Sequence, residues 1–191
     1  MKHFTIAIDG PGGAGKSSIA DGLAQSLKVL HLDTGAMYRA LAWQALREGV
    51  STRDEAALAA QLGRTRIDVT FENGAQHTFV NGEDVTGRIR TPEISMATSD
   101  IATCGAVRSH MVRLQQELAR SRSMILDGRD IGTRVLPDAT LKIFLTASPE
   151  VRARRRTDEL LARGASVEYE SVLADVIARD RQDSTRAIDP L

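Results

Sequence analysis

The amino-acid sequence predicts an α/β fold of three layers, a phosphate-binding-loop architecture in which helices flank a central parallel sheet, with a small antiparallel sheet inserted. Three observations carry that expectation. Short apolar, β-branched runs (Phe4–Ile8, Val29–Asp33, Met124–Asp127 and Leu141–Thr146) alternate with longer stretches of helical spacing, as in a sheet covered on both faces. The first run enters a glycine-rich turn that opens a helix. Between Ile67 and Thr86 the rhythm changes to strict alternation broken by two Asn-Gly pairs.

The glycine-rich turn is Gly10-Pro11-Gly12-Gly13-Ala14-Gly15-Lys16-Ser17, of the form G-x-x-x-x-G-K-S. Apolar residues at Ile19, Ala20, Leu23, Ala24 and Leu27 then mark one helical face. Glycines let main-chain N–H groups point inward where a side chain would block a phosphate. The helix adds the positive end of its dipole at the same place. Gly10 to Ser18 therefore form the candidate ATP-binding segment. Within it Lys16 can reach the β- and γ-phosphates, and the Ser17 hydroxyl can ligate Mg²⁺. A chance turn before a helix is the plain alternative, and the buried strand in front of it argues against that.

Val29–Asp33 closes a β-α-β unit expected to be parallel and right-handed. It places Thr34 at the carboxyl end of a strand, where open α/β sheets bind ligands. Arg39 follows about a turn into the next helix, which runs through Leu46. Read singly, Thr34 is as well explained as an N-cap and Arg39 as a solvated side chain. The alternating segment gives strands from Ile67, from Gln76 to Asn81 and from Glu83 to Thr86, an insertion of about residues 64–91. Thr91-Pro92-Glu93 has the form of a helix start: hydroxyl cap, proline, then an acid. Helical stretches over Thr91–Thr103 and Gly105–Ala119 contain Ser99 and Arg108, which pattern alone does not single out.

Met124–Asp127 ends in an acid and leads into Gly128-Arg129-Asp130-Ile131-Gly132. Asp127 suits a water-mediated Mg²⁺ contact, against a plain role in turn chemistry. The run Arg152-Ala153-Arg154-Arg155-Arg156 reads either as a solvated helical face or as a lid of about residues 150–166 whose arginines close on a phosphate. A last helix, about Val167 to Arg179, ends in Asp180-Arg181-Gln182-Asp183.

Composition narrows the class. The 191 residues suit a single domain with a core of residues 1–63 and 92–191. Basic and acidic residues number 25 each, so no net field draws the chain to nucleic acid or membrane. The lone Cys104 makes no internal disulfide, and the four histidines lack metal-ligand spacing. No apolar run reaches the roughly 20 residues that span a bilayer, and no signal-peptide pattern opens the chain. A cytoplasmic monomer is the expectation. Four of the 25 basic residues are lysines, leaving 21 arginines, the better bidentate phosphate ligands.

Together these residues resemble the bacterial cytidylate kinases, a group of the nucleoside monophosphate kinases. The likeness runs from Ile6 to Leu191. It rests on Ile8-Asp9-Gly10-Pro11 through Ser17, Leu32-Asp33-Thr34-Gly35-Ala36-Met37-Tyr38-Arg39, Gly82-Glu83-Asp84-Val85-Thr86, Ile89-Arg90-Thr91, Asp127 through Gly132, and Arg179 through Asp183. The resemblance implies phosphorylation of CMP and dCMP by ATP with Mg²⁺. It assigns Thr34, Arg39 and Arg129 to the acceptor phosphate, Ser99, Arg108 and Asp130 to cytosine, and Arg179 and Asp183 to the sugar. Lys16, Arg39, Arg129, Arg155 and Arg186 would act on the phosphates during transfer. In that family the chain usually continues beyond the equivalent of Leu191 into a further strand and helix. Without them, Leu141–Thr146 is expected at an open sheet edge. Two rival readings stay open: another small-molecule kinase, acting for instance on shikimate, and a nucleotide-binding switch. The switch is disfavoured because no N-K-x-D guanine motif is present.

Overall fold

Four short strands frame the molecule: β1 (Thr5–Asp9), β2 (Leu30–Asp33), β6 (Met124–Gly128) and β7 (Leu141–Phe144). The computed structural model describes residues 3–191. The strands form one parallel sheet in the order β2-β6-β1-β7, so β2 pairs with β6 rather than with its sequence neighbour. Register brings Asp9 beside Gly128 and Asp33 beside Asp127, collecting three aspartates at the carboxyl ends of adjacent strands. β7 is an outer strand among the described residues, as expected, but ends at Phe144 rather than Thr146. Leu141 and Phe144 are exposed on it.

Alternation on the strands builds three layers. On one face Ile6, Ile8 and Ile125 pack against Ala20 and Ala24 of α1 (Lys16–Leu27). On the other, Ala7, Leu32 and Leu126 meet the larger core. That core includes Met37 and Leu41 of α2 (Thr34–Arg47), Ile101 of α4 (Pro92–Ile101) and Met111 of α5 (Gly105–Ala119). Leu126 is fully buried there, a burial worth about 1.5–3 kcal/mol.

The inserted sheet is β3 (Ile67–Glu72), β4 (Ala75–Val80) and β5 (Glu83–Asp84), antiparallel throughout. Asn73 and Gly74 both have positive φ, as the Asn-Gly hairpin turn requires. Its third strand is shorter than expected because Thr86 leaves the ladder and its hydroxyl accepts from the Thr78 N–H at 2.9 Å. Val80, Val85 and Ile89 seat the insertion on Ala36 and Ala40 of α2.

Helix ends follow local chemistry. Thr91 caps α4 with Pro92 at its first position. α2 is capped by Asp33 and not by Thr34, the Asp33 carboxylate accepting from the Ala36 N–H at 3.1 Å. α3 (Glu55–Leu62) has an Asp54 cap that the strand-and-turn pattern did not reveal. After β6 the expected turn is a single π-helical turn, Ile131–Val135, while α6 (Pro149–Ala162) carries the arginine run. α7 (Tyr169–Thr185) extends past the expected end at Arg179, which puts Arg179 and Asp183 one turn apart on one helix.

Candidate active site

The phosphate loop leaves β1 at Gly10, whose φ is 145°. A β-carbon there would lie 1.9 Å from the Leu145 carbonyl oxygen, so only glycine fits. The loop ends at Gly15, which starts α1 in a left-handed conformation with no side-chain cap. The first N–H groups of α1 thus lack a side-chain partner, and the helix dipole favours an anion there.

Lys16 is buried and folds back over the loop, donating to the Gly10 carbonyl at 2.7 Å and the Pro11 carbonyl at 2.8 Å. Burial, with Arg129 and Arg179 nearby, lowers its pKa from 10.5 to about 7. The Ser17 hydroxyl donates to Asp127 at 3.0 Å. The other Asp127 oxygen lies 2.8 Å from His31 Nε2, and His31 Nδ1 lies 2.7 Å from Asp21. Burial alone would lower the His31 pKa, but these two carboxylates prevail and raise it. Thr34 donates to the Asp127 carbonyl at 2.7 Å, which ties the start of α2 to β6.

Arginines face this loop from three elements. A β-carbon placed on Gly12 would lie 3.2 Å from Nη2 of Arg129 and 3.7 Å from Nη1 of Arg179. Arg129 donates to Asp183 at 2.7 Å, and Arg39 to Asp33 at 2.6 Å. Asp33 also accepts from Arg90 of the insertion at 2.9 Å. Burial pushes the Asp33 carboxyl up, yet Arg39 and Arg90 outweigh it and hold it below the usual carboxylate range. The Nε atoms of Arg39 and Arg179 are buried without a hydrogen-bond partner. Buried unpartnered donors of this kind are costly unless a ligand takes them.

Beyond Arg129 lies a second cluster. Arg108 and Asp130 form a buried ion pair at 2.5 Å. Ser99 is buried too, although its hydroxyl turns back to the Ser95 carbonyl at 3.4 Å. Arg186 stands 4.0 Å from Asp130 and 3.9 Å from Asp183, among carboxylates rather than beside the loop. Arg155 is exposed, with Nη1 3.9 Å from a β-carbon placed on Gly15. The arginine run therefore divides. Arg152 is buried against Asp180 and donates to the Gly12 carbonyl at 3.1 Å, while Arg154 lies over the Tyr169 ring at 5.5 Å.

Several residues of this site escape sequence reasoning. Asp9 accepts from the Ile131 and Gly132 N–H groups, each at 2.7 Å, and so fixes the turn that carries Arg129 and Asp130. Gln76 of β4 grips Asp33 on both sides, accepting from its N–H at 2.7 Å and donating to its carbonyl at 3.2 Å. Asp9 stands in the motif before Gly10, a signal that was available; Gln76 had none. Among the described residues no cluster of three His, Cys, Asp or Glu could hold a metal. The paired oxygens of Ser17 and Asp127 instead suit a hard cation that takes most of its ligands from water and phosphate. No described helix is long and apolar enough to cross a membrane.

Comparison with known proteins agrees with this geometry. The model of the family described as cytidylate kinase matches residues 6–191. A cytidylate kinase of Caldicellulosiruptor bescii is 49% identical over all of this chain and 84% of its own length. One of Pelotomaculum thermopropionicum is 50% identical, over all of this chain and 85% of its own. That of Bacillus subtilis is 47% identical, with the same 100% and 85% coverage. With a match across nearly its whole length and half its residues shared with such relatives, the chain belongs to the cytidylate kinase family.

Proposed function

We propose that the chain transfers the γ-phosphoryl group of ATP to CMP and dCMP, giving ADP and CDP or dCDP. The observation that carries this reading is the opposition of Gly12 to Arg129 and Arg179. A loop of main-chain donors and a set of guanidinium groups share one cleft, so two phosphates of different molecules can meet there.

In this reading, residues 10–18 and the start of α1 take the donor phosphates, and Lys16 exchanges the Gly10 and Pro11 carbonyls for phosphate oxygens. Ser17, with Asp127 through water, would hold Mg²⁺, which when bound neutralises charge on the phosphates. Arg39 and Arg129 orient the acceptor phosphate, with Thr34 at its side. An acceptor oxygen forms the new bond to the γ-phosphorus as the bond to the ADP oxygen breaks. The acceptor is already an anion, so no general base is needed. Arg155 would offset the charge of the transition state. Arg186 would first have to leave the carboxylates that surround it.

Cytosine recognition falls to Ser99, Arg108 and Asp130. The base offers an amino donor at N4 and acceptors at N3 and O2, which match a carboxylate and a guanidinium. Uracil reverses the donor and acceptor pattern at its N3 and O4 edge and would leave buried groups unpaired, at about 1–3 kcal/mol each. Arg179 and Asp183 would meet the sugar between the two clusters. The insertion of about 64–91 and the lid of about 150–166 would close to exclude water, because an open site hydrolyses ATP. A monomer suffices, since every proposed contact comes from one chain. The single buried cysteine and substrates of this class suit the cytoplasm.

A coupled assay of ADP release with CMP, dCMP, UMP, AMP and shikimate tests the assignment. CMP or dCMP should be the best acceptor; a preference for any of the others overturns it.

A further inference from the structure

Arg108 is held by two carboxylates, not one. Beyond α7 the chain turns back, and the Leu191 N–H donates to the Asp183 carbonyl at 2.9 Å. Ile188 packs so closely on the start of α5 that a β-carbon on Gly105 would meet it at 2.9 Å. Asp189, on this turn, has φ 45°, a left-handed conformation unusual for a residue with a side chain. That conformation lets one residue hold two arginines. Its carboxylate accepts from Arg108 Nε at 3.3 Å, and its main-chain carbonyl accepts from Arg186 Nε at 2.8 Å. A third arginine, Arg134, lies 3.8 Å from the second carboxylate oxygen.

The two arginines that Asp189 holds are those flanking Asp130. Arg108 reaches Asp130 through Nη2 at 2.5 Å, and Arg186 stands 4.0 Å away. A guanidinium gripped at one edge can swing about that contact. Gripped at Nε by Asp189 and at Nη2 by Asp130, with a longer contact from Nη1 to the Ala102 carbonyl at 3.5 Å, its plane is fixed. Charge matters as well. Without the Asp189 carboxylate, Asp130 would be the one carboxylate paired with Arg108, while sharing Arg186 with Asp183, and would be less available to any other donor.

We propose that Asp189 is a positioning and specificity-determining residue for the acceptor base: it fixes the plane of Arg108 and shares its charge, leaving Asp130 able to accept from an exocyclic amino group. This rests on the reading above that Arg108 and Asp130 meet cytosine. Asp189 itself touches no substrate in this scheme.

The test uses Asp189→Asn and Asp189→Gly, both of which tolerate positive φ, so that loss of charge is separated from backbone strain. Steady-state kinetics with CMP, UMP and ATP are compared with wild type. Asp189→Gly should raise KM for CMP about tenfold, the loss expected of one charge-assisted hydrogen bond, with kcat changed less than about threefold in both variants. KM for ATP should stay within about twofold, and the preference for CMP over UMP should fall about tenfold. The Asn variant, which keeps a weaker acceptor, should lie between wild type and Gly. A CMP KM within twofold of wild type in both variants overturns the proposal, and so does a parallel rise in both substrates' KM. A fall in the CMP KM would make the carboxylate a competitor of the base, which also overturns it. Wild-type turnover separates this from the functional reading. If the wild type prefers another acceptor, the substrate assignment fails, and Asp189 is judged on the KM of that acceptor by the same criteria.

Discussion

The two halves of the cleft are built on opposite principles. The half proposed for the donor is main chain: eight consecutive residues from Gly10 to Ser17, with Lys16 supplying the one cationic side chain. The half proposed for the acceptor is side chain, drawn from α2, α5, the turn after β6, α7 and the segment beyond it. Its arginines are almost all paired with aspartates: Arg39 with Asp33, Arg108 with Asp130 and Arg129 with Asp183. A main-chain cradle needs only glycines and a helix start. A side-chain cluster needs counter-charges, because several buried guanidinium groups would otherwise repel one another. The acceptor half therefore depends on its aspartate counter-charges, whereas the donor half depends on main-chain donors and the single charge of Lys16.

The comparison can be broken most sharply at Lys16. Lys16→Ala should lower kcat about 100- to 1000-fold, the usual loss when one donor aimed at developing charge is removed. Steady-state turnover at saturating CMP measures it, and near-normal kcat would remove Lys16 from the chemistry. Next in size is Asp130→Ala. It should raise the CMP KM about 10- to 100-fold, from the loss of a buried hydrogen-bonding partner, while ATP binding stays near wild type. Removing one member of a buried pair also costs about 3–5 kcal/mol of stability. Thermal melting of the same variant therefore has to be read alongside the kinetics.

Much of the donor half was legible in the sequence because it is contiguous. Strand, glycine turn and helix fall within the first 27 residues, and each element appears where the pattern put it. The Asp127–Gly132 motif was legible for the same reason. The pairings that hold the acceptor half were not, since their partners are far apart in the chain. Arg90 reaches Asp33 across 57 positions, and Asp189 reaches Arg108 across 81. No local periodicity encodes such distances. The π-helical turn after Asp130 reads as an ordinary turn in sequence, because Asp9, whose carboxylate accepts from its Ile131 N–H, lies 122 positions away. Arg152 shows the same limit. On a run of arginines it reads as a solvated face or as part of a lid, and only the approach of Asp180 and Gly12 makes it a buried brace.

A smaller effect tests the role of counter-charge. Arginines hold both Asp33 and Asp183 below the usual carboxylate range in the folded protein. The unfolded chain therefore binds their protons more readily, so the stability they contribute is present above about pH 4 and is lost as pH falls further. Melting temperature should drop steeply below that point, and Asp33→Asn should flatten part of the drop. An unchanged acid profile in that variant would mean the Asp33 pairs are energetically idle. The smallest effect belongs to the link between insertion and core. Gln76→Ala removes both bonds to Asp33 and should cost about 1–2 kcal/mol. That corresponds to a fall in melting temperature of very roughly 2–8 °C for a chain of this size.

The central claim is that one cleft has two separable half-sites. Isothermal titration of ATP and of CMP into Lys16→Ala and Asp130→Ala tests it most directly. Lys16→Ala should weaken ATP and leave CMP near its wild-type affinity, while Asp130→Ala should do the reverse. Equal loss of both ligands in either variant would contradict the division on which the account stands.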